Sequence, residues 1–264
     1  MTIDAHVVGQ ALQVQGRVIL AVILRETRTR FGKHRLGYLW ALAEPLLQIG
    51  VLLLMFTALG RRSPVSGELW LFFVTGIVPW LMFRNLAARV MNAVSGNLAL
   101  LGYPQVTPLD LMLARIVLEA ATMVLVLVVL LLGLAATGRV ALPSRPLEVL
   151  AALTTLMFLG GGFGMLNAAI AAYLPAYAKV FSAVMRPLYF FSGVFYTAAN
   201  LPQPARDWLL WNPLLHLIEW LRSGFFPGFD TQHLDRAYVL AWTLVLCFLG
   251  LAAERVSRRK AMQA

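Results

Sequence analysis

The stretch Leu24-Arg25-Glu26-Thr27-Arg28-Thr29-Arg30-Phe31-Gly32-Lys33-His34-Arg35-Leu36-Gly37-Tyr38-Leu39-Trp40-Ala41-Leu42-Ala43-Glu44-Pro45 runs from a dense basic segment straight into apolar sequence. Lys and Arg accumulate on the cytoplasmic flank of membrane helices, and Tyr and Trp settle at headgroup level, so this order predicts a first membrane helix entered from inside. The apolar block before it, 18–24, is far shorter than the roughly 20 residues a crossing needs. No small-residue cleavage site follows that block, so no cleavable signal peptide is expected. Residues 10–30 read instead as an amphipathic helix in the inner interface, with Val14, Val18, Ile19 and Val22 toward lipid or protein. Whether it serves as an anchor or as a surface for a cytoplasmic partner stays open.

Outward from that stretch, 60% of the 264 residues are hydrophobic and 13% charged, too apolar for a soluble domain of this size. The fold class expected is an all-α polytopic membrane protein. Six runs are long and apolar enough to span: 36–59, 68–90, 107–137, 147–173, 180–197 and 235–252. The third and fourth exceed the minimum and must tilt or extend. With the amino terminus inside, most of the 22 basic residues fall on inner segments, which places both termini in the cytoplasm. The net charge of +10 is spread along apolar segments with no basic module able to fold alone, which argues against nucleic-acid binding. The single cysteine, Cys247, excludes an intrachain disulfide and reads as a buried small hydrophobe.

Two connections are informative. The inner loop Asn97-Leu98-Ala99-Leu100-Leu101-Gly102-Tyr103-Pro104 is too apolar to face water, so it either re-enters the interface or docks on a soluble partner. The outer loop, 198–234, is rich in aromatics, and Pro202, Pro204, Pro213 and Pro227 divide it into pieces too short to cross. It is expected to dip into the outer leaflet and return, which backbone can do only when buried in protein or lining a cavity.

Ionisable residues inside spans are costly and therefore candidates for function. Glu44 falls about 12 Å from the inner end of the first run, and Arg84, Arg115 and Arg186 lie at similar depth in the second, third and fifth. One reading pairs them internally, Glu44 with an arginine and Arg115 with Glu119 one turn on. The other is a basic vestibule for an anionic headgroup or polymer end, matched by the guanidinium fork. Gly160 and Gly164 form a small-xxx-small pair, expected to serve close packing within the subunit. Tyr189, Phe190, Phe195 and Tyr196, with Trp208, Trp211 and Trp220 of the outer loop, suit either a lipid-facing belt or a surface that slides along pyranose rings. No metal-ligand spacing, nucleophile elbow or phosphate loop occurs, so any ATPase driving transport is another chain.

The opening motif, Leu24-Arg25-Glu26, Arg30-Phe31-Gly32-Lys33, Arg35 to Leu42 and Glu44-Pro45, resembles the start of an ABC-2 type permease, most of all the inner-membrane subunits that export capsular polysaccharide. Asn212-Pro213-Leu214-Leu215-His216, Glu219 and Arg222-Ser223-Gly224-Phe225-Phe226-Pro227-Gly228 are similar to the last outer segment of those permeases. The resemblance covers nearly the whole chain. It implies one domain over 1–264: a tail and interfacial helix (1–35), six spans with a re-entrant periplasmic segment between the fifth and sixth (36–252), and a basic cytoplasmic tail (253–264). It further implies a homodimeric pore, two separate nucleotide-binding subunits that carry ATP and Mg, and Asn97, Leu98, Leu100, Leu101, Gly102, Tyr103 and Pro104 as the contact to them. No cofactor is expected in this chain. A lipid-linked acidic polysaccharide would be the cargo, with a periplasmic copolymerase and outer-membrane channel beyond. Whether Arg61, Arg62, Arg206 and Arg222 meet that partner or the polymer is left open. The near rival is an O-antigen or teichoic-acid exporter; the distant one is an ATP-independent membrane transporter or enzyme acting on lipid-linked sugars.

Overall fold

The computed structural model describes residues 5–31, 36–61, 63–65, 67–136, 138, 142–174 and 176–261. Lys33, His34, Arg35, Arg62 and Thr137 lie outside the described residues. Nine α-helices are described, in order α1 (Ala5–Phe31), α2 (Leu36–Ala58), α3 (Leu69–Met91), α4 (Pro108–Ala136), α5 (Pro146–Tyr173), α6 (Tyr177–Phe191), α7 (Gln203–Leu209), α8 (Pro213–Phe225) and α9 (Arg236–Ala261). Short 3-10 turns occupy Ser95–Gly102 and Ala198–Asn200.

Within α2, α3, α4, α5 and α9, five segments are long and apolar enough to cross a membrane. The sixth expected run is different. Its helix, α6, has 15 residues, about 22 Å at helical rise, and ends at Phe191 rather than at 197. The break follows at Ser192-Gly193, where Gly193 takes φ +77° and a Cβ would strike the Leu215 side chain at 2.6 Å. The last helix also departs from expectation, since α9 continues without interruption through residues read as a separate basic tail and ends at Ala261. The amphipathic helix is α1, longer than expected, and it packs along α4 with Val22 buried and Val14 exposed.

The core is built around α5, which packs along α9 and α3 and touches α8 and α4. The glycines of α5 permit that crowding. A Cβ on Gly164 would lie 2.7 Å from Val90 Cβ, and one on Gly160 would lie 3.0 Å from Leu86 Cβ. On the other side Gly162 faces backbone, with Cys247 N at 2.7 Å from its ideal Cβ, while a Cβ on Gly250 would meet Gly162 O at 2.5 Å. Small residues of this kind let membrane helices approach backbone to backbone. The α2 and α9 helices, by contrast, leave most of their apolar surface outward.

The proline-rich loop 198–234 forms separate pieces, as its prolines require. α8 is buried from Leu214 to Phe225, inserted against α5, α3 and α9. Asn212 caps it, accepting a hydrogen bond from the Leu214 N–H at 3.0 Å, and Pro213 stands in the first turn where no N–H is needed.

Candidate functional site

A cleft of about 850 Å³ opens between α2, α3 and α6. Its walls are Leu47, Gln48, Val51 and Leu52 from α2, Trp80, Arg84 and Ala88 from α3, and Phe181, Ser182, Met185, Arg186, Tyr189 and Phe190 from α6. α6 supplies one whole wall and is attached loosely: among the described residues it packs on α5 and, through Tyr189, on Trp80 of α3, and just Phe181 and Met185 of its side chains are buried.

Charge in the cleft is unevenly paired. Arg84 Nη2 lies 2.5 Å from Glu44 Oε1, joining α3 to α2, and also donates to Asn85 Oδ1 at 3.2 Å. Arg186 is exposed and makes no ion pair or hydrogen bond among the described residues. One acid and two guanidinium groups leave a net positive cleft, which suits phosphate or carboxylate.

An aromatic cluster adjoins this basic part. Tyr189 packs at 5.4 Å from Trp80 and at 5.0 Å, edge on, from Phe195; Phe190 and Phe195 stack at 5.5 Å. Tyr196 is tied in by its hydroxyl, which donates to Phe190 O at 3.0 Å. Flat apolar rings beside cationic groups offer contact to sugar rings and acidic substituents without fixing one register.

The remaining candidates lie elsewhere. Arg115 binds Glu26 of α1 at 2.9 Å, and Glu119, expected as its partner, instead pairs with Arg89 at 3.1 Å. The i, i+4 spacing put the two residues on one face of α4, but each finds a partner on a different neighbouring helix. Trp220 is buried, its indole N–H donating to Glu148 Oε2 at 2.5 Å with the Arg236 guanidinium 5.6 Å from its ring, so it packs α8 to α5 and α9. Trp208 and Trp211 are 81% and 74% exposed outside the cleft. Arg222, weighed as a contact to polymer or partner, is fully buried and available to neither.

At the other end of α3, the loop segment forms the 3-10 turn Ser95–Gly102, interrupted at Asn97 (φ −137°, ψ 27°). Leu98, Gly102, Tyr103 and Pro104 are exposed and Leu100 and Leu101 half-buried, so an apolar surface is presented outward. Asn97 is not part of it: its side chain is 6% exposed and points inward.

Sequence reasoning passed over Gln48, Trp80 and Ser182 in the cleft, because it weighed only ionisable residues among the polar ones and only the fifth run and the last loop among the aromatic ones. Gln48 Oε1 is buried with no hydrogen-bond partner among the described residues, and an uncharged polar residue mid-span was the signal available.

Residues 17–226 match the family described as ABC-2 type transporter. The polysialic acid transport protein KpsM of Escherichia coli is 33% identical over 250 residues, covering 95% of this chain and 96% of that protein. The capsule polysaccharide export inner-membrane protein CtrC of Neisseria meningitidis serogroup A is 33% identical over 246 residues, 92% of each chain. The corresponding protein BexB of Haemophilus influenzae is 28% identical over 248 residues, 94% of each. A match across the α-helical membrane region, with relatives aligned nearly end to end, makes this chain a membrane component of the ABC-2 type transporter family.

Proposed function

We propose that the chain is the permease subunit of an ATP-driven exporter that moves lipid-linked capsular polysaccharide across the bacterial inner membrane. The observation that carries this reading is the α2–α3–α6 cleft, where Arg84 and Arg186 adjoin the rings of Trp80, Tyr189 and Phe190. It lies beside α2 and α6, both of which leave apolar surface uncovered, so a second copy facing it would close it into a passage. In this reading α6, the bend after it and the inserted α8 together make the fifth crossing and its re-entrant continuation. Both termini are then cytoplasmic, and the segment Ser95–Gly102 with Tyr103 and Pro104 meets a nucleotide-binding subunit that supplies ATP and Mg. Two such subunits serve two permease copies, and an acidic polymer leaves toward a periplasmic copolymerase and an outer-membrane channel. The end-to-end similarity to KpsM, CtrC and BexB supports capsular polysaccharide over other glycans.

The test is purification of the chain from its native membrane in mild detergent, with identification of bound proteins and analysis of bound glycolipid. Recovery of a Walker-motif ATPase with an acidic glycolipid is the expected result. Recovery of the chain alone, still moving lipid-linked sugar in liposomes without ATP, would replace this reading with a self-sufficient transporter.

A further inference from the structure

The inner end of the molecule contains a buried polar junction that the substrate cleft does not use. Glu26 of α1 is 3% exposed, and its Oε1 accepts a hydrogen bond from Asn97 Nδ2 at 2.9 Å and forms an ion pair with Arg115 Nε of α4 at 2.9 Å. Asn97 uses the rest of its amide as well. Its Nδ2 also donates to Ala93 O at 3.1 Å, and its Oδ1 accepts from Arg25 Nη1 at 3.0 Å. One carboxylate and one carboxamide thus join three elements: α1, the 3-10 segment and the foot of α4.

The segment needs such a junction. It is two short helical pieces interrupted at Asn97, each too short to hold its place by its own hydrogen bonds, so tertiary contacts set its position. Beside it, between the segment and α1, lies a cavity of about 270 Å³ lined by Val18, Val22, Arg25, Leu100, Tyr103 and Val106 among others. Leu98 and Tyr103 are 39% and 61% exposed. Besides the chain's own continuity with α3 and α4 and the packing of Leu100 and Leu101 on the core, Asn97 gives that surface a polar link through Glu26 to Arg115 on α4.

We propose that Asn97 and Glu26 are positioning residues that tie the ATPase-facing segment to α1 and α4, so that movement of the ATPase reaches a membrane-crossing helix through Arg115. This rests on the exporter reading above. It takes Arg115 out of the substrate path and makes α1 part of the transmission rather than an anchor alone.

The test compares Asn97→Ala and Glu26→Gln with Gln15→Ala, which removes the separate α1–α4 hydrogen bond of Gln15 to Asp110 Oδ1 at 3.1 Å and leaves the junction intact. Amide hydrogen exchange on the purified chain reads residues 98–103, and the complex with its ATPase reads bound ATPase and glycan exported per ATP hydrolysed. In both junction variants exchange over 98–103 accelerates by about tenfold. Export per ATP falls by about fivefold or more at equal ATPase occupancy, and Gln15→Ala changes neither. Unchanged exchange in both junction variants overturns the positioning role. Faster exchange with unchanged export per ATP, or a loss of export that merely follows loss of bound ATPase or of folded chain in both variants, overturns the transmission. If the unaltered chain recruits no ATPase, the exporter reading fails and the transmission with it, while the exchange data still decide whether the junction holds the segment.

Discussion

Arg222 occupies the space that a side chain at Gly76 would need: a Cβ on Gly76 would lie 2.7 Å from Arg222 Nη2. In that notch the guanidinium donates to Gly193 O at 2.6 Å, Tyr196 O at 3.0 Å, Val194 O at 3.0 Å and Phe72 O at 3.3 Å, with the Phe72 ring 3.8 Å from its central carbon. Three of those carbonyls belong to the bend after α6, where the helix has ended and its own ladder can no longer serve them. Glu219 completes the arrangement by accepting the Ala198 N–H at 2.6 Å. Irregular backbone between α6 and α8 is held here by this arginine and glutamate, with Asn212 Nδ2 donating to Phe191 O at 2.9 Å.

Replacing that arginine should therefore be severe. Arg222→Leu removes this donor from the three carbonyls of the bend, while Phe72 O keeps the Thr75 hydroxyl, and is expected to destabilise the fold by on the order of 3–5 kcal/mol. Arg222→Lys keeps charge but not the planar fork, and should fall between. Gly76→Ala meets the backbone of Val194 as well as the guanidinium, so it should cost about 1–3 kcal/mol. Thermal unfolding in detergent followed by tryptophan fluorescence checks the order; an Arg222→Leu protein as stable as the parent would mean the bend is held by something else.

Arg186 makes the opposite case, being exposed in the cleft with no ion pair among the described residues. Arg186→Gln should leave stability within about 0.5 kcal/mol of the parent. Export of polymer, measured at matched protein level, should drop several-fold because the vestibule loses its unneutralised charge. Full export would remove Arg186 from the path.

The Glu44–Arg84 pair is intermediate, since both side chains are about one-third exposed, 30% and 32%. A double-mutant cycle with Glu44→Gln and Arg84→Gln should give a coupling of about 0.3–1 kcal/mol in stability, reduced by solvent screening. Export should suffer more in Arg84→Gln than in Glu44→Gln, since only the former removes positive charge from the cleft. Equal effects on export would indicate that the pair serves helix packing alone.

The α5–α9 seam gives a stability prediction with a built-in control. Gly162→Ala drives a methyl into the Leu246-Cys247 backbone, which cannot rotate away, and should cost about 1–3 kcal/mol. Gly133→Ala on α4, where nothing lies within 4 Å, should be close to neutral in the same unfolding assay. Equal stability of the two variants would refute the close approach of α5 and α9.

Much of this fold is legible in the sequence because apolarity over twenty residues is a strong signal, and α2 to α5 begin and end within one or two residues of the expected runs. The short α6 is not legible in the same way. Residues 187–196 read as continuous aromatic sequence, and the break at Ser192-Gly193 depends on Leu215 and Arg222, which come from twenty or more residues later. Arg222 itself misleads, since an arginine in an outer loop ordinarily means solvent. Arg115 and Glu119 misled through spacing: periodicity shows that two residues share a helix face but not which neighbouring helices that face meets. The cleft's charged and aromatic residues were mostly identifiable, whereas its uncharged members and the inward turn of Asn97 required the packing.

The most direct test of the central claim is transport itself. Proteoliposomes containing this chain and its ATPase would be given lipid-linked acidic polysaccharide on the nucleotide side. The account predicts glycan movement to the opposite side that requires hydrolysable ATP and is diminished by Arg186→Gln. Movement that proceeds equally without nucleotide or without the ATPase, or a reconstituted pair that hydrolyses ATP while leaving the glycolipid in place, would contradict it.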